Sequence, residues 1–97
     1  MTKKDVLKWD PAKSEQLRKL RGLGFEEIEV AIEKQQVLAN IASPSKRYPH
    51  QRMLVIWVNG YVHAVPYVEE KGVRFLKTIF PSRVLNKKYG GFKNGPQ

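Results

Sequence analysis

The stretch from Met53 to Val68, MLVIWVNGYVHAVPYV, decides the fold of this 97-residue chain. It holds two apolar runs of strand length on either side of the pair Asn59-Gly60. Both residues of the pair suit the positive φ angles of a type I′ turn, so the stretch predicts a β-hairpin with a two-residue loop. The first run, 53–58, is continuously apolar, which is typical of a central strand. Pro66 in the returning strand predicts an exposed side or a β-bulge, because proline cannot donate to a β-ladder.

A further strand is predicted after the hairpin, from Val73 to Phe80, where β-branched and aromatic residues recur at a period of two. Pro81 is expected to end this strand, and Ser82 is suited to cap a short helix. A strand that leads directly into a helix start directs backbone N–H groups outward, which in outline is an anion site. The residues of this helix that carry a cation or an aromatic ring are Arg83, Lys87, Lys88 and Tyr89.

Two helices are predicted ahead of the hairpin, between a short strand at 5–9 and another at 37–41. Asp10 is suited to the N-cap of the first helix and Pro11 to its first position, and Gly22 is suited to its C-terminal end. The second helix places Glu26 and Glu27 in its first turn, where carboxylates interact favourably with the helix dipole. The residues with the spacing of a core-facing stripe are Phe25, Ile28, Ala31, Ile32 and Gln35.

This order of elements predicts an α+β domain. Two N-terminal helices would pack on a mainly antiparallel sheet of about four to five strands, and a short helix would follow at the C-terminus. The length suits a single domain with one modest core, which we place at residues 1–90. Residues 91–97, FKNGPQ preceded by a glycine, are expected to form a flexible tail.

The composition restricts the function classes. There is no cysteine, which excludes thiolate and disulfide chemistry and agrees with a cytoplasmic location. No apolar run approaches the roughly 20 residues of a membrane span. Residues 1–33 carry as many acids as bases, so the entire net charge of +9 lies in residues 34–97. Such one-sided charge favours a polyanionic partner, with nucleic acid first and an acidic protein second.

The side chains available for catalysis are basic and aromatic. The sequence lacks a metal-ligand spacing, a serine nucleophile motif and a nucleotide-binding loop, so no metal or cofactor is expected. Metal-independent RNA cleavage needs cations for the developing phosphate charge and groups that move two protons. We predict Arg83, Lys77, His50 and His63 as catalytic candidates. We predict Lys13, Arg21, Arg52, Lys87, Lys88 and Tyr89 as RNA-binding candidates.

Three further motifs are WDPAK at 9–13, RGLGFEE at 21–27 and KTIFPSR at 77–83. Together they resemble the BrnT-type toxins of bacterial type II toxin–antitoxin systems. The resemblance implies a RelE/ParE-like fold, ribonuclease activity that inhibits translation, and neutralisation by a cognate antitoxin. It also implies that operator DNA is bound only through the antitoxin complex. Carried over by position, it supports Lys13 and Arg83 as part of the active surface.

Two other functions stay open at this point. The chain could be a non-catalytic basic module that binds nucleic acid or an acidic protein, which predicts salt-dependent binding without cleavage products. It could also poison gyrase, as some proteins of the ParE branch do, which predicts DNA damage while RNA stays intact.

Overall fold

A computed structural model of the chain describes residues 6–43 and 51–90. The helices in this part are α1 (Pro11–Arg21), α2 (Phe25–Glu33) and α3 (Arg83–Tyr89). The strands are β1 (Val6–Lys8), β2 (Val37–Ala42), β3 (Arg52–Val58), β4 (Tyr61–Glu70), β5 (Val73–Leu76) and β6 (Phe80–Pro81). The tail predicted at 91–97 lies outside the described residues. No helix in the described part is long and apolar enough to cross a membrane.

The strands form one sheet in the order β1-β5-β4-β3-β2, and β6 also pairs with β4. Only the β1–β5 pair is parallel among the described strands. The predicted α+β fold, with helices on a mainly antiparallel sheet, is therefore confirmed. The strand predicted from Val73 to Phe80 is divided, since β5 ends at Leu76 and β6 begins only at Phe80. Pro81, expected to end that strand, is itself paired with His63.

Two turns of two residues each fix the register of the central strands. Asn59 and Gly60 have φ angles of 55° and 72°, which confirms the predicted hairpin between β3 and β4. Lys71 and Gly72 have φ angles of 53° and 80° and join β4 to β5 in the same way. The register that results places Arg52 opposite Tyr67.

Pro66 corrects one expectation from the sequence. It is buried in the middle of β4 and paired with Met53, with no exposed side. Its carbonyl accepts a hydrogen bond from the Lys77 N–H at 2.8 Å. The N–H and the C=O of one strand residue face the same neighbouring strand. The N–H that proline lacks would therefore have faced residues 77–79, between β5 and β6. The missing donor therefore coincides with an interruption of the neighbouring strand.

The helix ends follow the predicted capping chemistry. Asp10 Oδ1 accepts a hydrogen bond from the Ala12 N–H at 3.0 Å at the start of α1, and Gly22 closes that helix with a φ of 71°. Ser82 Oγ accepts a hydrogen bond from the Leu85 N–H at 3.1 Å at the start of α3. The sequence therefore placed these three boundaries correctly.

Helices α1 and α2 cover one face of the sheet, which we call the helix face. The buried side chains between them are Leu17, Leu23, Phe25, Ile28, Ala31, Leu54, Ile56, Val65, Tyr67, Leu76 and Ile79. Side chains alternate along β4, so Val62 points to the opposite face, where its Cγ2 lies beside Gly90 at the end of α3. Helix α3 therefore lies on the side of the sheet away from α1 and α2.

The two N-terminal helices are joined by a polar group that we call the helix clamp: Ser14, Arg18, Gly24, Glu26 and Glu27. Ser14 Oγ accepts from the buried Phe25 N–H at 2.9 Å and donates to Glu26 Oε1 at 2.7 Å. Arg18 donates to Glu26 Oε1 at 2.6 Å and to Glu27 Oε2 at 2.7 Å. Glu27 Oε1 accepts from the Gly24 N–H at 2.8 Å, so the start of α2 is tied to α1.

Gly24 is expected to tolerate no side chain. A Cβ there would lie 2.7 Å from Arg18 Nη2, 2.8 Å from Ser14 Oγ and 2.9 Å from Glu26 Oε1. Because the added methyl would force the helix clamp apart, Gly24→Ala should lower the free energy of unfolding by about 1–3 kcal/mol in urea denaturation. Gly22→Asn is the matched control, since open space surrounds Gly22 and asparagine tolerates its positive φ. An equal loss in both variants would contradict the prediction.

Candidate nucleic-acid interface

Arg52 is held in a fixed orientation by a single residue of the neighbouring strand. Its Nε donates to Asn40 Oδ1 at 3.0 Å, and its Nη2 donates to the Asn40 carbonyl at 3.0 Å. Two bonds from one planar guanidinium define its plane, and both end on an uncharged residue. The positive charge of this exposed side chain is therefore oriented by these two bonds without being neutralised by them.

Asn40 is in turn bound to Tyr67. The oxygen of the Asn40 amide receives a bond from arginine, which can only donate, so the amide nitrogen faces the Tyr67 hydroxyl and donates to it at 2.8 Å. The Tyr67 ring is 1% exposed and belongs to the core. It therefore supports Asn40 from within the protein and offers no surface to a ligand.

Arg74 lies on the other side of the same tyrosine. Its guanidinium carbon is 5.0 Å from the centre of the Tyr67 ring, a cation–π geometry, and its Nε lies 3.5 Å from Glu69 Oε1. We call Asn40, Arg52, Tyr67 and Arg74 the arginine cluster. It presents two guanidinium groups on the helix face, supported by a buried ring, and guanidinium forks match the oxygens of a phosphate.

His63 lies on the same strand face but apart from the arginine cluster. It is four residues from Tyr67 along β4, which is roughly 13 Å in an extended strand. The side chain is 8% exposed, and Nδ1 lies 3.1 Å from the Tyr61 carbonyl. A carbonyl can only accept, so Nδ1 carries the hydrogen and Nε2 of the neutral ring carries the lone pair.

The surroundings of His63 favour its neutral form. Burial lowers the pKa of the ring below its ordinary value, and the positive charge of Arg21 lowers it further. The hydrogen bond to the Tyr61 carbonyl acts in the opposite direction. His63 is therefore a neutral imidazole near pH 7, close enough to Arg21 for their charges to interact. Sequence reasoning selected both residues without linking them.

Two of the predicted catalytic residues lie on the other side of the sheet. Lys77 is exposed, and its Nζ is 5.1 Å from the centre of the Phe75 ring. Phe75 pairs with Val68, which alternates with Tyr67, so this ring and Lys77 lie on the face opposite the arginine cluster. Arg83 is exposed at the start of α3, which lies on that same side.

The remaining candidates are spread over both helical layers. Lys87 and Lys88 are exposed on α3, and Lys88 Nζ lies 5.5 Å from the centre of the half-buried Tyr89 ring. Lys13 is half-buried on α1, in the same i, i+4 row as Arg21. His50 lies outside the described residues. Only Arg52, among the ten predicted residues, belongs to the arginine cluster.

Sequence reasoning missed Asn40, Tyr67 and Arg74. The Asn59-Gly60 hairpin contained part of the signal, because a two-residue loop pairs 58 with 61 and therefore Arg52 with Tyr67. The position of Asn40 depends on the pairing of β2 with β3, which includes a register shift between Val37 and Ala39. No local pattern in the sequence specifies that irregularity.

A concave site also exists away from the arginine cluster. A cavity of about 390 Å³ lies between α2 and the β3–β4 turn, with Val30, Ala31, Trp57 and Val58 in its lining. Its lining also includes Lys34 and the two carboxylates of the helix clamp, which are paired with Arg18. Within residues 6–43 and 51–90, no group of three or more His, Cys, Asp or Glu side chains is placed to hold a metal ion.

Comparisons with known proteins do not assign the chain to a family. No protein-family model matches the chain, and neither the curated proteins nor the solved structures contain a match. The residues and their arrangement are therefore the basis for a function.

The protonation of His63 predicts a pH dependence of stability. Its pKa is lowered in the folded protein, so the unfolded chain binds more protons below about pH 6.5 and the folded state loses stability as the pH falls from there toward the folded pKa. Urea denaturation between neutral and mildly acidic pH should show this decline in the wild type. His63→Gln should reduce it, and His50→Gln is the matched control. If the pH dependence of the unfolding free energy persisted in His63→Gln and disappeared in His50→Gln, it would come from His50, and the prediction would be contradicted.

Proposed function

We propose that this chain is a metal-independent endoribonuclease that cleaves mRNA and inhibits translation, as the toxin of a type II toxin–antitoxin system. The observation that supports it best is Arg52, whose guanidinium is oriented by uncharged Asn40 and lies on the same face as Arg74. A phosphodiester that enters this site meets two arginines on a rigid support. The resemblance of the three sequence motifs to BrnT-type toxins points to the same activity.

The reaction needs charge stabilisation more than it needs a cofactor. The 2′ oxygen forms a bond to phosphorus while the bond to the 5′ oxygen breaks, which leaves a 2′,3′-cyclic phosphate and a 5′ hydroxyl that takes its proton from solvent water. Negative charge grows on the non-bridging oxygens, and Arg52 and Arg74 donate to them. Groups that are already oriented need no reorganisation as the charge develops, which is the role of Asn40 and Tyr67.

The proton from the 2′ hydroxyl has an acceptor at the arginine cluster. Glu69 Oε1 lies 3.5 Å from Arg74 Nε, and its carboxylate is partly exposed, so we assign it as the general base. His63 is roughly 13 Å farther along β4 and does not reach a phosphate held at Arg52. Its proposed role is to maintain the structure, while Arg21 holds RNA on this side of the sheet and Lys77, Arg83, Lys87 and Lys88 hold RNA on the other side.

The proposal carries a cellular context. The toxin would act in the cytoplasm, where a cognate antitoxin neutralises it, and the complex would bind operator DNA through the antitoxin. The excess of basic residues after position 33 suits both an RNA substrate and an acidic antitoxin segment. A small reading frame beside this gene, ending in a DNA-binding pattern, is the expected genetic arrangement.

Arg52 provides the test of the catalytic site. Purified protein should cut mRNA in EDTA, and Arg52→Gln should slow cutting by about 10²-fold, because one of two oriented cations is lost. Arg52→Lys keeps the charge without the planar fork, so it should recover only a small part of the rate. Lys19→Gln on α1 removes one exposed charge elsewhere and is the matched control. Cutting that requires added metal, or that survives Arg52→Gln unchanged, would contradict the mechanism.

Glu69→Gln separates catalysis from binding. It removes the proposed base and leaves both arginines, so the cleavage rate should fall by about 10²-fold while RNA binding is retained or strengthened. Rates are compared under single-turnover conditions, and Glu70→Gln on the next residue is the control. RNA binding with a steep salt dependence and no products in the wild type would support the non-catalytic module instead.

A further inference from the structure

The sheet carries an exposed aromatic ring on the face opposite the arginine cluster. Phe75 lies in the middle of β5 and is 38% exposed, although the sheet buries most of its other large apolar residues. It follows directly after Arg74 in the chain, and consecutive strand residues point to opposite faces. The ring therefore lies on the outer surface while Arg74 contributes to the helix face.

Two lysines flank this ring. Lys77, two residues after Phe75, lies on the same face, and its Nζ is 5.1 Å from the ring centre. Lys8 of β1 is paired with Phe75 in the parallel register and is also exposed. On β4 the residue paired with the ring is Val68, and Glu70 lies on the same face two residues farther, paired with Val73 at the turn end of β5. The ring is therefore bordered by two lysines and one apolar side chain.

A single exposed phenylalanine needs no explanation by itself. The combination here is more specific, because a ring in a strand with a lysine on each side is the arrangement that binds single-stranded nucleic acid on a sheet. Bases stack on aromatic rings at about 1–3 kcal/mol each, and cations beside the ring contact the phosphates on either side of the stacked base. An apolar protein partner would gain from the ring but would have to desolvate both lysines.

We propose that Phe75 is a stacking platform for a base of single-stranded RNA, with Lys8 and Lys77 on the flanking phosphates. The proposal rests on the proposed function in so far as RNA is the ligand, but it concerns binding and not cleavage. Because Phe75 and Arg74 lie on opposite faces of one strand, the stacked base belongs to a different nucleotide from the phosphate held at the arginine cluster. The platform thus extends the RNA contact beyond the cleavage site.

Stacking and charge can be separated by their dependence on salt. The probe is a fluorescein-labelled 2′-O-methyl oligoadenylate, which cannot be cleaved through its 2′ position, and binding is followed by anisotropy at several salt concentrations. Phe75→Ala should weaken binding about tenfold, the loss of one stacked base, with the slope of log K against log salt unchanged. Lys77→Gln should reduce the magnitude of that slope by about 0.7, the value for one phosphate contact on a single strand.

Two controls define the site. Leu20 on α1 is 73% exposed, so Leu20→Ala removes an exposed apolar side chain elsewhere and should leave the affinity unchanged. Phe75→Tyr keeps a ring and should retain binding. Urea midpoints of all variants identify any loss that comes from unfolding. If Phe75→Ala binds the probe as the wild type does, or if Leu20→Ala loses as much, the platform is refuted.

The outcome for the platform is distinguishable from the outcome for the proposed function. Binding that depends on Phe75, in a protein that does not cut mRNA, would refute the ribonuclease and keep the platform. Cutting that depends on Arg52, together with Phe75→Ala behaving as the wild type, would refute the platform and keep the ribonuclease. Failure of the wild type to bind the probe would refute the platform, whereas the ribonuclease would still be judged by the cutting of mRNA.

Discussion

The register set by two short turns governs where the functional side chains of β3, β4 and β5 lie. Asn59-Gly60 and Lys71-Gly72 each place two consecutive residues at positive φ. A loop of only two residues fixes which residues of the two strands are paired. Side chains alternate with a period of two, so a slip of one residue would move each of them to the other face. The contact of Arg74 with Tyr67 on one face and the exposure of Phe75 on the other both depend on this register.

Seven of the nine carboxylates of the chain lie in residues 1–33, and two of these seven join α1 to α2. In the helix clamp, Glu26 accepts hydrogen bonds from Arg18 and Ser14, and Glu27 accepts them from Arg18 and Gly24. These bonds join α1 to α2. The two glutamates of the RGLGFEE motif therefore have a structural role at the junction of two helices. The cavity beside this region shares no lining residue with the arginine cluster.

Cations lie on both faces of the sheet, and their supports differ. Arg52 is fixed by two hydrogen bonds to Asn40, whereas the Lys77 ammonium, on a flexible stem, lies over the Phe75 ring. An oriented arginine suits the discrimination of a transition state, because its donors are aligned before the charge develops. A lysine on an open face suits the non-specific attraction of a phosphate chain. This difference supports placing catalysis at the arginine cluster and extended RNA contact on the opposite face.

Local chemistry in the sequence determined the elements and most of their ends. The Asp10 cap, the Gly22 terminus, the Ser82 cap and the Asn59-Gly60 turn each depend on a few adjacent residues, and such interactions can be read without the rest of the chain. The α+β class followed from their order. The excess of basic residues over acids after position 33 was also readable, since it is a property of composition.

Tertiary structure alone decided which distant residues meet. The interruption of the last predicted strand at 77–79 accommodates a buried Pro66, and it depends on a neighbouring strand that no local pattern reveals. Asn40 reaches Arg52 and Tyr67 only because β2 pairs with β3 through an irregular register. The electrostatic interaction of His63 with Arg21 likewise links β4 to α1 across a long separation in the chain. These contacts join residues far apart in the chain, so their energies depend on packing and strand pairing that a single sequence does not display.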